Sequence, residues 1–368
     1  MNICLFGDGL TALTLAKALI NKNFKVFMYY EESRNLPIQN RTIGVSSNNL
    51  DFLQKNIIKI NKNLLWNIYD IEIYSDKEIK KKILNFKSQN NKLFCILKNS
   101  DLIKLLNKSL SKSKNFKKFK INKNYPHSKI FPNRKFQLFI NCDGNNEISN
   151  KYFYKKFLKN YESTAYASTI NHNKIDNRKA IQIFTKYGPL AFLPISESQT
   201  SLVYSIKNKS ITNFNKLSEK QFEKLILKNN KNYKIKSFNK LETFKLNSKI
   251  LRNYYYNNIL AFGDMLHQIH PLSGQGFNMT LRDIKILLNL INQKQSLGLQ
   301  IDETIFQEFE NKTKHLNFLF ASGNDFIYEF FNYNNNLNFP SKKILSYFNN
   351  NKLFKNLAIK YADQGLII

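Results

Sequence analysis

Apolar and polar positions along this chain follow two periods. Asn2–Phe6 is a short apolar run that stops at Gly7, and from Leu10 to Ile20 apolar residues return at helical spacing, with Leu13, Ala16, Leu19 and Ile20 on one side. Phe24–Tyr30 is apolar and β-prone again, so the chain opens with a predicted strand, turn, helix and strand. Residues 110–124 are Lys- and Asn-rich and read as a solvated connection. Phe136–Cys142 reads as a strand closed by the turn dipeptide Asp143-Gly144. Ser163–Ile170, Ala180–Phe184, Leu190–Pro194 and Ser201–Ile206 are strand-like runs that suit an antiparallel sheet. Ile259–Phe262 predicts a further strand before Gly263-Asp264, and Phe277–Ile291 predicts a helix. Beyond residue 300 helical patterns alternate with Asn-rich breaks.

Composition adds bounds. The 368 residues are 42% hydrophobic, enough for a sizeable core and too apolar for wholesale disorder. Formal charge is +31, and only six of the 57 basic residues are Arg. Lys, Asn and Ile share AT-rich codons, so genome composition is one reading of that charge; an acidic partner or an anionic membrane surface is the other. The longest apolar runs, such as Pro189–Ile195, fall far short of the ~18 residues a membrane span needs. Asp8 and Lys17 interrupt the apolar N-terminus, which therefore does not read as a signal peptide. Cys4, Cys95 and Cys142 are far apart in strand-like stretches, as expected of reduced structural thiols in a cytoplasmic protein.

Two segments carry chemistry. In Gly7-Asp8-Gly9-Leu10-Thr11-Ala12, Gly7 permits a tight turn, Gly9 admits a pyrophosphate, and Ala12 is small enough for helix–strand packing. The helix that follows offers free N–H groups and a positive dipole end to phosphates. Glu31 or Glu32, at the end of the second strand, would hold a ribose hydroxyl pair. In the second segment, Gly263-Asp264 is followed by Pro271, then Gly274-Gln275-Gly276 and Asn278 at the start of a helix. Asp264 can accept a ligand hydroxyl, and the helix N-terminus favours negative charge, as on a reduced flavin. Arg41, retained in a Lys-rich chain, suggests a fork-shaped contact to phosphate or flavin. His267 and His270 lack a third metal ligand and read as a packing pair.

These residues resemble a family. The run from Leu260 to Asp283, with Gly263, His267, His270, Pro271, Gly274, Gln275, Gly276, Asn278 and Asp283, is similar to the signature of the FAD-dependent aromatic-ring hydroxylases. It most resembles their ubiquinone-biosynthesis branch, the 2-polyprenyl-6-methoxyphenol hydroxylase type. Arg41–Ser47 resembles the family's flavin-contacting segment, and Ile96–Leu102, which includes Asn99, resembles the one that passes the flavin. Asp143-Gly144 resembles a turn associated with both cofactors, and Tyr161–Pro194, which includes Gly188–Pro194, resembles the entry to the substrate sheet. Asn145, Asn146 and Glu147 depart from the family, which has arginines after that turn.

The resemblance implies an α/β fold. A Rossmann-like FAD-binding domain would be assembled from 1–70, 95–150 and 250–300. A mainly antiparallel substrate domain would comprise 71–94 and 151–250, with a helical C-terminus at 301–368. It implies an FAD-dependent monooxygenase that uses NAD(P)H and O₂, through a C4a-hydroperoxyflavin, to hydroxylate a polyprenyl phenol in ubiquinone biosynthesis. Pro271, Gly274, Gln275 and Gly276 would lie near the reaction centre. The partners would be a membrane-dissolved substrate and an anionic membrane surface or lipid-binding accessory proteins, with the protein peripheral to the inner membrane. A related isoprenoid reductase is the alternative. A nucleic-acid-binding protein is a remote one, because the lysines are scattered without an aromatic–basic motif.

Overall fold

The first strand is buried along most of its length, and the glycine turn after it feeds straight into a helix whose inner face is apolar. In the computed structural model, residues 1–31, 41–75, 82–88, 91–122, 130, 135–210, 217–230, 232–271, 274–333 and 348–365 are described. The order is β1 (Asn2–Phe6), α1 (Leu10–Ile20), β2 (Lys25–Glu31), β3 (Thr42–Ser46), α2 (Ser47–Phe52), β4 (Trp66–Ile68), β5 (Asp70–Ser75), β6 (Lys82–Lys87) and β7 (Phe94–Lys98). Then come α3 (Asn99–Ser111), β8 (Phe116–Ile121), β9 (Leu138–Asn141), α4 (Glu147–Tyr152), β10 (Lys156–His172), β11 (Lys179–Thr185), β12 (Gly188–Pro194) and β13 (Gln199–Lys207). Last are α5 (Glu219–Asn229), β14 (Ile235–Phe238), β15 (Glu242–Leu251), β16 (Tyr255–Tyr256), β17 (Ile259–Ala261), β18 (His267–Gln268), α6 (Gly276–Ser296), α7 (Thr304–Tyr333) and α8 (Lys352–Gln364).

Three sheets result among the described residues. A six-stranded sheet runs β16-β17-β9-β1-β2-β8 and is parallel from β17 to β8. Its inner strands β1, β9 and β17 read as near-continuous apolar runs because helices cover its faces. The largest core cluster packs against it, from Leu13, Leu15 and Leu19 of α1, Leu102 and Leu106 of α3, and Ile284 and Leu287 of α6. A nine-stranded, mainly antiparallel sheet is centred on β10, β13 and β12, and α5 packs Phe222 and Ile226 into its second core. A small sheet, β3-β7-β4, is joined to the large one by a bond from Thr42 Oγ1 to Ser201 Oγ at 3.1 Å.

One expectation is corrected. Residues 116–121, within the stretch read as a solvated connection, form β8, paired with β2 in parallel register from Val26↔Phe116 to Glu31↔Ile121. Lys117, Lys118 and Lys120 hid the strand signal, because a charged edge strand is built to discourage further pairing. Phe119 anchors it, its ring 5.1 Å from that of Tyr29 and 6.5 Å from that of Phe27.

Candidate functional site

Three neighbouring parallel strands each end in one of the sequence motifs. β1 runs into Gly7, β9 into Asp143-Gly144, and β17 into Gly263-Asp264; Phe6 and Ala261 both stand in register with Asn141. The carboxyl ends of parallel strands are where open α/β sheets bind ligands. Gly7, at φ +98°, donates its N–H to Tyr29 O at 2.8 Å, and a Cβ there would come 3.4 Å from Asp143. Gly9 heads α1 without a side-chain cap, and no acidic residue occupies the first turn. A Cβ on Gly9 would meet nothing within 4 Å. Ala12 is fully buried, and Glu31 is half-buried at the end of β2. Glu32 lies outside the described residues.

The first and second segments touch directly. Gly263, at φ +66°, packs so closely on α1 that a Cβ would stand 2.2 Å from Thr11 Cγ2. Thr11 is thus a site-forming residue that sequence reading passed over, since nothing local marks it. Asp264 is exposed beside this contact; burial, and after it the Asp143 and Asp264 charges, pushes the Cys142 thiol well above its ordinary value. The loop after β9 is held by Asn141, whose Nδ2 donates to Asn146 Oδ1 at 3.1 Å and to Ser149 Oγ at 2.9 Å. Asp143 N in turn donates to Asn141 Oδ1 at 3.1 Å, and Ser149 Oγ donates to Asp143 O.

A second group gathers at the small sheet. Asn99, at the start of α3, donates its N–H to Arg41 O at 3.0 Å, so the two candidate segments run side by side. The Arg41 side chain is exposed. Gly274, at the loop into α6, faces Gly44, whose N would lie 4.0 Å from an added Cβ. Asn278 is 2% exposed and faces protein: its Nδ2 donates to Gly44 O at 3.0 Å, and its Oδ1 accepts from Ser46 N at 3.1 Å and Asn49 Nδ2 at 3.3 Å. It is a positioning residue that fixes the start of α6 against β3. Pro271 is half-buried; Gly276 opens on space, with nothing within 4 Å of an added Cβ. Gln275 is buried and its Oε1 has no partner among the described residues. Asp363 closes the far side, accepting from Asn48 N at 3.0 Å and Asn48 Nδ2 at 2.6 Å, a contact across more than 300 residues that no sequence pattern marks.

The two histidines go to different places. His267 Nε2 lies 2.6 Å from Asp283 Oδ2, and Asp283 Oδ1 accepts from Asn317 Nδ2 of α7 at 3.2 Å, all three residues being buried. His270 is fully buried between the rings of Tyr161 and Tyr328, at 4.7 and 4.3 Å. Burial, helped by the Lys159 charge, lowers its pKa to about 3, so it is neutral.

The residues present fit a flavin dinucleotide. Two helix N-termini, those of α1 and α6, lack side-chain caps and first-turn acids, two glycines leave room where a Cβ would project, and the buried Gln275 carbonyl awaits a donor. Such ends are ready-made for anionic groups.

Comparison with known proteins agrees with this geometry. Residues 135–361 match the family model described as squalene epoxidase. The chain is 28% identical to the 3-demethoxyubiquinol 3-hydroxylase of Escherichia coli K12 over 155 residues, 42% of this chain and 40% of that protein. The match thus spans less than half the length of that relative. Over 375 residues, 84% of this chain and 78% of the relative, it is 23% identical to the mitochondrial ubiquinone biosynthesis monooxygenase COQ6 of Drosophila melanogaster. Its fold matches p-nitrophenol 4-monooxygenase PnpA of Pseudomonas putida DLL-E4 with a TM-score of 0.74, covering 99% of this chain and 98% of that one at 9% identity. The α/β architecture with a helical C-terminus is therefore the fold of that monooxygenase.

Proposed function

We propose that this chain, which belongs to the squalene epoxidase family, is an FAD-dependent monooxygenase that hydroxylates the ring of a polyprenyl phenol in ubiquinone biosynthesis, with NAD(P)H as reductant. The observation that carries the reading is the contact of Thr11 with Gly263, which makes one cradle of the glycine fingerprint and the second segment. Gly7, Gly9 and the α1 N-terminus would hold the pyrophosphate, Asp264 a ribityl hydroxyl, and Glu31 the ribose. Arg41, Asn99 and the Pro271–Gly276 loop would border the ring system. When bound, FAD supplies a carrier that takes a hydride and activates O₂. The α6 N-terminus, with no acid in its first turn, would stabilise negative charge on that ring. Asn278 holds that helix end in place, and the Gln275 carbonyl can accept a hydrogen bond from a ring N–H.

A membrane-dissolved substrate suits a second observation. No helix of the described residues is long and apolar enough to cross a membrane. The outer face of α7 nevertheless exposes Phe318 at 44%, Leu319 at 49%, Phe326 at 70% and Ile327 at 43%. The Phe318 ring lies 5.9 Å from that of exposed Phe157, over which Arg252 sits at 5.5 Å. Exposed apolar side chains with Arg252 beside them fit an anionic lipid surface, where each Lys or Arg is worth about 1 kcal/mol. Deleting the gene and measuring quinones by mass spectrometry tests the function. The expected result is loss of ubiquinone with accumulation of a precursor lacking one ring hydroxyl. An unchanged quinone profile contradicts it.

A further inference from the structure

Beside the Asp143-Gly144 turn is a cavity of about 60 Å³ lined by Gly144, Ser149, Asn150, Lys156 and Lys249 among others. That is more than one water needs and of the size of a tetrahedral oxyanion. The two lysines come from adjacent strands. β10 and β15 pair Lys156↔Leu251 and Leu158↔Lys249, which puts Lys156 and Lys249 diagonally on one face. Like charges on one face of a sheet repel. Among the described residues neither ammonium forms an ion pair, although Asp264 is near enough to attract Lys249. The Lys249 amino group stands over the turn, 3.5 Å from where a Gly144 Cβ would be. The turn itself, Asn145-Asn146-Glu147, contributes no cation.

We propose that Lys249 and Lys156 form an anion site that takes a phosphate of a nucleotide cofactor bound at the Asp143-Gly144 turn. This rests on the dinucleotide reading above. It names a pair of residues that neither the fingerprint nor the second segment contains. The placement has a physical logic: Lys249 emerges from a half-buried position, and burial and the Lys156 charge hold its ammonium below its ordinary pKa. An arriving phosphate would offset the Lys156 repulsion by giving two converging cations a common partner. Lys249 would act as the inner, oriented ligand and exposed Lys156 as the outer one. Two sources supply the same chemistry: the pyrophosphate of the flavin dinucleotide, or a phosphate of the nicotinamide co-substrate.

The purified full-length protein, as isolated, is titrated calorimetrically with inorganic phosphate and with 2′,5′-ADP, and its flavin dissociation constant is read by fluorescence. Wild type is compared with Lys249→Met, Lys249→Arg and Lys156→Met. A charge-assisted contact to phosphate is worth roughly tenfold in affinity. Lys249→Met should weaken binding of the phosphate ligand about that much, Lys249→Arg should restore it, and Lys156→Met should have a smaller effect. Loss confined to 2′,5′-ADP assigns the site to the nicotinamide co-substrate; loss of flavin retention assigns it to the flavin pyrophosphate. Equal affinities of wild type and Lys249→Met for phosphate, 2′,5′-ADP and flavin, with unchanged circular dichroism, overturn the proposal. A wild type that binds no flavin contradicts the dinucleotide reading instead, and the inorganic phosphate titration still decides the anion site.

Discussion

The two glycine turns that lead into α1 and α6 serve similar ends by different means. The first is mainly local: Gly7 bonds to Tyr29 O on the next strand, and Asp143 and Gly263 only pack against it from outside. The second is assembled from a distance. Its position depends on Asn278 reaching Gly44 and Ser46, on Gly263 fitting under Thr11, and on Asp283 joining His267 to Asn317. A turn made by near neighbours tolerates change elsewhere, whereas a turn made by distant partners fails when any of them is removed.

Substitutions can break that contrast. The largest effect belongs to Gly263→Ala, because the φ of +66° and the 2.2 Å approach to Thr11 leave no room. Overpacking plus a left-handed backbone should cost about 3 kcal/mol or more. Adding Thr11→Gly should recover a good part of it, and denaturant unfolding of the single and double variants measures that coupling. Asp283→Ala strands two buried polar partners and should cost about 3 kcal/mol in the same assay. Asn278→Ala removes three bonds that tie α6 to β3 and α2 and should cost about 2 kcal/mol, with a matching fall in cofactor retention.

His270 gives a pH test. Its folded pKa of about 3 lies below its ordinary 6.5, so between those values the unfolded chain binds more protons. Stability therefore falls as pH drops below about 6.5, by up to about 1.4 kcal/mol per unit for one proton. His270→Phe should remove that component of the slope, seen in midpoints measured from pH 7 to 4.

The same contrast explains what could be read from sequence. The opening strand–turn–helix–strand, the strands of the large sheet and α6 were legible because periodicity and turn dipeptides are local signals. β8 was not, because its lysines mask an edge strand whose partner lies 90 residues earlier. At the site, the glycines and Asp264 were legible as motifs. Thr11, the Asn141 network and Asp363 were not, because each matters only through a contact that folding creates. The motif marks Asn278 but not its partners: its side chain bonds to β3 and α2, contacts that exist only once the chain is folded.

The smallest predicted effect on stability is the most informative about function. Gly9 has extended geometry and nothing within 4 Å of an added Cβ, so Gly9→Val should cost only about 1 kcal/mol. That side chain would nevertheless occupy the space assigned to the pyrophosphate. The direct measurement is the ultraviolet–visible spectrum of purified wild type and Gly9→Val, taken beside their circular dichroism. The account predicts flavin bands in wild type and none in Gly9→Val, with both proteins equally folded. Equal flavin content in the two, or no flavin uptake by wild type, would contradict it.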